Sequence, residues 1–349
     1  MSIRTLLDHH QRQVNRKAWT DLGGFAHSLE QSGELITVSE EVSPDLEITA
    51  LCRHSLLNGG PALRFANPSG FDMAVIGNLF GNEKRVLMAL ELESREKLRE
   101  LGSQFAFLKS PELPGSLGTA VDAIPGFARL AHVTPVHKEE APWQANVLEG
   151  PDVNLVNLPV STCWPEDAGP LITWGLVITK GPNKPRVNLA IYRLQVIDRN
   201  KVIMRWLAHR GGAQDFREFQ AAHPGKPYPV SVVIGADPAT LLAAVTPVPD
   251  TLSEYQFAGL LRGRRSRVVD STLTGLPVPL GAEIVLEGHI YPEETATEGP
   301  FADHTGYYNA QESFPVFTVE KISQSDGACY LTTYMGKPGE DEPSVMAAA

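Results

Sequence analysis

The stretch PRVNLAIYRLQVIDRNKVIMRWLAHRGG, residues 185–212, decides the fold of the second half of the chain. Two runs rich in apolar, β-branched and aromatic residues, Asn188–Ile197 and Lys201–Ala208, flank the turn-forming residues Asp198-Arg199-Asn200, and this pattern predicts a β-hairpin. Polar side chains lie among the hydrophobic ones: Asn188, Arg193, Gln195, Arg205 and His209. Because burying such groups without partners is costly, either protein groups or a polar, charged ligand must contact them.

The composition is that of an ordinary globular protein, with 349 residues, 42% hydrophobic and 20% charged. A net charge of −11 argues against a general nucleic-acid binder, which needs a basic face. Cys52, Cys163 and Cys329 are too widely spaced for a disulfide framework or a zinc pattern. No run resembles a signal peptide or reaches the roughly 18 apolar residues of a membrane span. We therefore expect a cytoplasmic protein.

The length favours two domains, and the composition changes near Thr134-Pro135. Before that point, helices over Asp21–Gln31, from Ser43-Pro44-Asp45 onwards and over Ser94–Leu101 alternate with short strands, which predicts an α/β domain over residues 1–134. No G-x-G-x-x-G or Walker loop occurs there, so the sequence gives no support for nucleotide binding in this half. Strands predominate over residues 135–335, which predicts a barrel or a strongly curved sheet.

Asn188 and Arg193 are five residues apart and would point to opposite faces of a flat strand. If both serve one site, the strand must bulge or twist, or a ligand must wrap around an edge. Arg193 is a permanent cation that can hold a carboxylate through two N–H groups. An arginine paired with a structural Asp or Glu is an equally good interpretation of this residue.

Two carboxylates, Glu298 and Asp303, flank a Gly-Pro turn and are followed by His304. Two acids in one pocket cannot both ionise at low cost, so one of them would retain a proton near neutral pH. Beside an arginine, such a pair could carry out acid–base chemistry. The alternative is a solvated acidic loop, since Glu293 and Glu294 lie just upstream.

Glu254 follows Ser253, which could cap a helix with the acid in its first turn. The functional alternative is a metal ligand. The oxygen donors of Asn188 and Glu254 suit Mg²⁺ or Mn²⁺ rather than zinc, and water and a substrate or cofactor phosphate would complete the coordination.

Four arginines occur within six residues: Arg262, Arg264, Arg265 and Arg267. In an acidic protein such a cluster stands out, and it suggests a phosphate or anion site. A solvated or subunit-facing stretch explains the same cluster. The sequence favours the second interpretation.

These residues resemble the UbiD family of decarboxylases, in the same order and over most of the chain. The matching stretches are Gly59-Gly60-Pro61-Ala62, Cys163-Trp164-Pro165-Glu166-Asp167, Leu171-Ile172-Thr173-Trp174-Gly175, Asn188 to Arg193, Ile203 to Leu207, His209 to Gly212, Gly235 to Thr240, Thr246 to Glu254, Glu283 to Gly288 and Glu298 to Tyr308. The resemblance implies an α+β fold in which an N-terminal α/β domain precedes a split β-barrel flavin-binding domain. It also implies prenylated FMN as cofactor, with Mn²⁺ and often K⁺.

Carried onto this chain residue by residue, the resemblance implies that Arg193, Glu298 and Asp303 are the catalytic set. Asp303 would be the proton donor, one methylene shorter than the Glu of some relatives. The implied cofactor-binding residues are Ile191, Tyr192, Arg193, Arg205, Trp206, Leu207, Arg210 and Gly211. Asn188 and Glu254 would be the metal ligands. Some relatives add a histidine from the second hairpin strand, and His209 corresponds to it less closely because the local motif reads Trp-Leu-Ala-His.

The implied reaction is the non-oxidative decarboxylation of 4-hydroxy-3-polyprenylbenzoate to a 2-polyprenylphenol in ubiquinone biosynthesis. The implied partners are a flavin prenyltransferase that supplies the cofactor, further copies of the chain (a hexamer in full-length relatives) and the inner face of the cell membrane. Relatives usually continue into a C-terminal α/β domain, so residues 336–349 are expected to begin a truncated region. Two alternatives stay open: another aromatic or α,β-unsaturated acid as substrate, and an inactive form acting only as an assembly or binding partner.

Overall fold

The first part of the chain alternates helices and strands, as its sequence predicts. The computed structural model describes residues 19–109, 129–249 and 251–348. Up to residue 109, the helices are α1 (Leu22–Gln31), α2 (Glu47–Leu57), α3 (Glu83–Ala89) and α4 (Arg95–Lys109), and the strands are β1 (Leu35–Val42), β2 (Ala62–Pro68) and β3 (Val75–Gly77). None of the described helices has the length and apolar character needed to cross a membrane.

Of the three helices predicted in this part, one begins later and one ends later than expected. α1 begins where expected, because the carboxylate of Asp21 accepts the N–H of Gly24 at 2.7 Å and caps the helix. The predicted start of α2 at Ser43 is wrong. The N–H of Leu46 donates instead to the carbonyl of Thr162 (2.9 Å), and Leu46 has a φ of 69°. The helix therefore begins after Leu46, at Glu47. α4 continues eight residues beyond its predicted end at Leu101, to Lys109.

A strand from late in the chain completes the N-terminal sheet. The strand order is β1-β2-β3-β16, where β16 is Tyr330–Leu331 and pairs in parallel with β3. Aromatic side chains join this part to the rest of the core: Phe25 stacks on Phe80, whose ring meets the edge of Trp174 at a centroid distance of 5.9 Å. The two parts of the chain therefore share one continuous core.

The larger sheet is formed by strands from the second part of the chain. Its members are β5 (Asn146–Glu149), β6 (Leu171–Ile172), β7 (Gly175–Thr179), β8 (Asn188–Ile191), β9 (Leu194–Asp198), β10 (Lys201–Met204), β11 (Tyr228–Ile234), β14 (Ile284–Glu298) and β15 (Glu312–Gln324). Their order is β6-β9-β10-β15-β14-β11-β7-β8, and β5 pairs with β15. A third, small sheet has the order β13-β12-β4, formed by Pro277–Pro279, Arg267–Asp270 and Val136–Lys138.

The part of the chain described after residue 129 contains four further helices. They are α5 (Gly211–Ala222), α6 (Pro238–Val245), α7 (Glu254–Arg262) and α8 (Glu342–Ala348). The cap predicted for α7 is confirmed, and α6 is also capped by a side chain. Asp237 accepts the N–H of Thr240 at 3.1 Å to start α6, and Ser253 forms a reciprocal capping box with Gln256 to start α7. The described residues thus form a mixed α+β fold.

The predicted hairpin is correct only around its turn, where β9 and β10 pair antiparallel. Its first run is not one strand, because β8 pairs with β7 whereas β9 pairs with β6 and β10. Between them the N–H of Tyr192 donates to the carbonyl of Gly175 (3.3 Å), and the chain passes from one end of the strand order to the other. The second run ends at Met204 rather than Ala208, since the N–H of Trp206 turns back to the carbonyl of Met204.

Candidate active site

A cavity of about 600 Å³ lies where β8, the starts of α5 and α7, and the end of α6 converge. That volume is within the range of small-molecule and cofactor sites. Its lining includes five residues that were predicted to be catalytic or to bind a metal: Asn188, Arg193, His209, Glu254 and Asp303. Arg205, which was predicted to bind the cofactor, also lines it. The break between β8 and β9 is what allows Asn188 and Arg193 to line the same space.

Arg193 and Arg205 share one buried carboxylate. Nε and Nη2 of Arg193 donate to the two oxygens of Glu298 at 2.6 and 2.8 Å, and Nη1 of Arg205 donates to Oε2 at 2.8 Å. Glu298 is fully buried, and the two arginines stand between it and the cavity. The structural pairing left open for Arg193 is therefore present, and Arg193 and Arg205 also present two guanidinium groups to the cavity, which suit a carboxylate.

Asn309 and two aromatic rings hold this arrangement in place. Oδ1 of Asn309 accepts a further hydrogen bond from Nη2 of Arg193 at 2.7 Å. The Arg193 guanidinium lies 5.3 Å from the ring centroid of Phe301, and that of Arg205 lies 5.4 Å from Phe314. Such contacts favour the cation and fix the plane of each guanidinium.

Asp303 lines the cavity, and its pKa is lowered rather than raised. Burial raises its pKa, but the hydroxyl and N–H of Thr305, which donate to Oδ1 at 2.5 and 2.8 Å, lower that pKa by more, so it lies below its usual value. The prediction that crowding keeps a proton on one of the two acids therefore fails for Asp303. Its carboxylate has to gain a proton before it can donate one.

Asn188 and Glu254 line the same cavity, and Glu254 contacts the residue that follows Asn188. The carboxylate of Glu254, in the capped first turn of α7, accepts the N–H of Leu189 at 2.9 Å. Burial raises the pKa of Glu254, and this hydrogen bond opposes the effect. The amide nitrogen of Asn188 donates to the hydroxyl of Thr179 at 3.1 Å. Glu254 therefore lies in the first turn of a helix capped by Ser253, as predicted, and it also lines the cavity.

The donor set fits a hard cation whose coordination is completed from outside the protein. A Cβ on Gly211 would overlap Oδ1 of Asn188, so this glycine leaves room for that oxygen at the start of α5. Among the described residues, no group of three or more His, Cys, Asp and Glu could hold a metal by itself. The exposed His209 also lines the cavity. Two oxygens suit Mg²⁺ or Mn²⁺ only with water or a phosphate present.

Most residues predicted for cofactor binding line the cavity, namely Ile191, Tyr192, Arg193, Arg205, Leu207, Arg210 and Gly211. Trp206 does not. Its buried indole lies in an aromatic cluster with Tyr192, Phe216 and Tyr228, at centroid distances of 6.2, 5.9 and 6.3 Å. A large apolar ring is stabilised more by this core than by a polar pocket.

Asp167, for which no role was predicted, also lines the cavity. Its carboxylate accepts the N–H groups of Trp164 and Ala302 at 3.0 and 3.1 Å, and so joins the loop before β6 to the loop that carries Asp303. Burial raises the pKa of Asp167, opposed by these N–H groups and by Arg193. Its only signal was its place in the stretch Cys163–Asp167, which carried part of the resemblance.

The C-terminal part of the described chain supplies an apolar wall that was also missed. Met335, Pro343 and Met346 line the cavity. The indole N–H of Trp164 donates to the carbonyl of Met335 at 2.8 Å and fixes that wall. The cavity is therefore lined by both charged and apolar side chains.

The arginine cluster is largely structural. Arg262 donates to the carboxylate of Asp237 and to the hydroxyl of Thr240, at the cap of α6. Arg265 donates to the carbonyls of Thr134 and Pro135 at 2.6 and 3.1 Å. These contacts support the alternative to an anion site for both residues.

Comparisons with known proteins agree with this geometry. The family model described as "3-octaprenyl-4-hydroxybenzoate carboxy-lyase Rift-related domain" (UbiD) matches residues 134–338. The model for the N-terminal domain of the same carboxy-lyase matches residues 26–105. Together they cover both parts of the described fold.

Solved structures of UbiD-class enzymes are similar over most of the chain. The vanillic acid decarboxylase of Sedimentibacter hydroxybenzoicus in closed form is 30% identical, with a TM-score of 0.83 over 95% of this chain and 67% of that one. An evolved dimeric HmfF from Pelotomaculum thermopropionicum, in complex with prenylated FMN, is 25% identical, with a TM-score of 0.77 over 93% of this chain and 69% of that one. The chain thus spans about two-thirds of the length of these structures. It belongs to the UbiD family of carboxy-lyases.

Proposed function

We propose that the chain is a prenylated-FMN-dependent decarboxylase of an aromatic acid. The observation that carries this proposal is the pair of guanidinium groups of Arg193 and Arg205 over the buried Glu298, in the same cavity as Asn188 and Glu254. Two similar structures support it by their own activities: one is a vanillic acid decarboxylase, and the other binds prenylated FMN.

Arg193 would bind and orient the substrate carboxylate. Its guanidinium is fixed by Glu298 and Asn309, so little side-chain entropy is lost when the anion binds. Arg205 adds a second positive charge beside it. Loss of CO₂ leaves a carbanion, and prenylated FMN, when bound, supplies the electron sink that protein side chains lack.

Asp303 would return the proton that replaces CO₂ on the ring. In the described state its pKa is lowered by Thr305, so it starts as a carboxylate and takes its proton from solvent. Exclusion of water when the cavity closes would raise that pKa and favour transfer to carbon. Asp167, which holds the N–H of Ala302, would fix the loop from which Asp303 acts.

Asn188 and Glu254 would hold Mn²⁺ against the cofactor phosphate, with Arg210 and Gly211 at the start of α5. His209 remains a candidate third ligand, and the K⁺ implied by the resemblance would bind nearby. We further propose that the large sheet is the split barrel, because two short connections join the ends of its strand order. The domain limits would fall near 134–135 and 335–336.

The finer proposal for the substrate is 4-hydroxy-3-polyprenylbenzoate, in ubiquinone biosynthesis. The apolar wall, which includes Met335 and Met346, is suited together with Trp164 to the start of a prenyl tail. Such a tail would bring the protein to the inner face of the membrane, with a flavin prenyltransferase and further copies of the chain as partners. Identity of 30% to a vanillic acid decarboxylase favours a second candidate, an unprenylated methoxylated aromatic acid.

The proposal is tested by producing the chain together with a flavin prenyltransferase. The visible spectrum of the purified protein reports the bound cofactor, and CO₂ release is measured with vanillate and with 4-hydroxy-3-prenylbenzoate. CO₂ release from the prenylated acid supports the finer proposal, and release from vanillate alone supports the second candidate. A protein that carries the cofactor but releases no CO₂ from either acid contradicts both.

A further inference from the structure

We propose that Asp215 is a positioning residue that sets which way the amide of Asn188 faces, acting through the hydroxyl of Thr179. The inference rests on the cation site of the proposed function, because it explains how Asn188 presents an oxygen rather than an N–H there. Asp215 and Thr179 are fully buried, and neither lines the cavity.

Asp215 acts as a hydrogen-bond acceptor only. Nζ of Lys184 lies 3.0 Å from its Oδ1, and Nη1 of Arg186 lies 3.9 Å from its Oδ2. A buried carboxylate paired with cations carries its negative charge and has no proton to donate. The hydroxyl of Thr179, 3.1 Å from Oδ2 of Asp215, is therefore the donor in that contact.

This fixes the direction of the next hydrogen bond. A hydroxyl has one proton, and Thr179 gives it to Asp215, so its oxygen can only accept from Asn188. The tyrosine hydroxyl of Tyr228 does not change this, because it donates its own proton to the carbonyl of Lys180. The amide of Asn188 must turn its nitrogen towards Thr179, at 3.1 Å. The opposite orientation would place two oxygens together without a proton between them.

The amide oxygen then faces the cavity. It lies against Gly211, the position where a Cβ would overlap it, on the same side as Glu254. Gly211 and Asp215 are four residues apart on α5 and share one face of that helix. One helix thus leaves space for the oxygen of Asn188 and anchors the nitrogen of the same amide.

Loss of the hydrogen bonds from Asn188 to Thr179 and from Thr179 to Asp215 would free the amide of Asn188 to turn its N–H groups towards the cation. Partners that orient a metal ligand typically contribute about 10–100-fold to metal affinity. Thr179→Val removes the hydroxyl and keeps the branched shape that suits β7. Thr179→Ser keeps the hydroxyl. Thr274→Val is the matched control, because Thr274 shares a hydroxyl–hydroxyl hydrogen bond of 2.7 Å with buried Ser231 of β11, away from the cavity.

The experiment measures Mn²⁺ affinity of the full chain in the presence of FMN, by calorimetry and by elemental analysis after dialysis. We expect Thr179→Val to lose about tenfold in affinity, and Thr179→Ser and Thr274→Val to stay within about twofold of the unmutated protein. Asp215→Asn should weaken binding in the unmutated chain and have a smaller effect in the Thr179→Val background, since part of its effect passes through that hydroxyl and part through Arg186, which pairs with Asp215 and lines the cavity. Thermal unfolding checks that each variant folds.

Three outcomes are decisive. Equal Mn²⁺ affinity in Thr179→Val and the unmutated protein overturns the inference and leaves the cation site standing. An unmutated chain that retains no Mn²⁺ with FMN overturns both the inference and the metal site. A chain that binds Mn²⁺ as expected, with the predicted losses, but releases no CO₂ supports the inference while the proposed reaction fails.

Discussion

At the scale of single residues, Arg193 combines two roles that the sequence could not separate. It is the partner of a buried acid and part of the cavity wall at the same time. The bidentate contact needs the planar guanidinium, because a lysine ammonium cannot reach both oxygens of Glu298 in one plane.

We therefore predict that Arg193→Lys lowers kcat for decarboxylation at least about 100-fold, since a misplaced cation no longer orients the carboxylate. The melting temperature should change little, because the charge next to Glu298 is kept. The control is Arg199→Lys, which alters an arginine bound to the carbonyl of Val153 outside the cavity. A kcat within a few fold of the unmutated enzyme would refute the role of Arg193.

Glu254 permits a second test with a closely matched control. In Glu254→Gln the amide oxygen can still accept the N–H of Leu189, but the negative charge is lost. We predict that the purified variant retains at least about tenfold less Mn²⁺ and FMN. Glu283→Gln should retain both, although Glu283 is likewise a buried acid whose pKa is raised by burial and which accepts a backbone N–H, from Cys329. Unchanged metal content in Glu254→Gln would count against its role as a ligand.

At the scale of elements, the start of α5 illustrates how a steric requirement can outweigh helix propensity. Replacing a helical glycine by alanine generally stabilises a helix, by about 1 kcal/mol. At Gly211 the added Cβ would overlap Oδ1 of Asn188 and push that amide away. At Gly102, within α4, no atom lies within 4 Å of the added Cβ.

We predict opposite results for these two substitutions. Gly211→Ala should reduce FMN and Mn²⁺ retention about tenfold, because the oxygen of Asn188 is displaced. Gly102→Ala should leave retention unchanged and raise the free energy of unfolding by up to about 1 kcal/mol. Absorbance of bound flavin and chemical denaturation give the two readouts. Normal flavin retention in Gly211→Ala would contradict the tight fit described for this helix start.

The same scale shows what the sequence could and could not predict. The caps at Asp21 and Ser253 are local, and the helices that begin at them were predicted correctly. The break between β8 and β9 depends on the carbonyl of Gly175, a partner that no local pattern indicates. The orientation of Trp206 is decided in the same way, by rings that come from three separate elements or connections.

Only some of the residues that line the cavity were predicted, because the others reach it through long-range contacts. Arginine, carboxylate and amide groups within hydrophobic runs are conspicuous, and the resemblance gave them roles. Asp167 and the apolar wall at Met335 and Met346 are ordinary in sequence, and become part of the cavity only when distant loops meet. Long-range contacts of that kind leave no periodicity to detect.

At the scale of the whole molecule, one buried acid links the N-terminal part of the chain to its C-terminal part. Glu342, at the start of α8, accepts the N–H of Phe80 at 2.6 Å and the hydroxyl of Thr333 at 2.7 Å. Burial raises the pKa of Glu342 to about 7. At pH values between the usual pKa of a glutamate and 7, Glu342 is protonated in the folded protein and ionised in the unfolded chain. Stability therefore falls as pH rises through that interval.

We predict that Glu342→Gln removes this pH dependence, because the amide is neutral throughout. From pH 5 to pH 8 the unmutated protein should lose up to roughly 3 kcal/mol of unfolding free energy relative to the variant. Denaturant midpoints measured for both proteins at each pH supply the comparison. Parallel curves across the interval would show that Glu342 is not protonated in the folded state near neutral pH.

The parallel pairing of β16 with β3 has a consequence for synthesis on the ribosome. Residues near 330 are translated long after those near 75, so the nascent N-terminal sheet emerges with its last edge unpaired. That open edge invites contact with chaperones or with neighbouring polypeptides until β16 arrives. Fragments that stop before residue 330 should accordingly aggregate more readily than chains that extend past it.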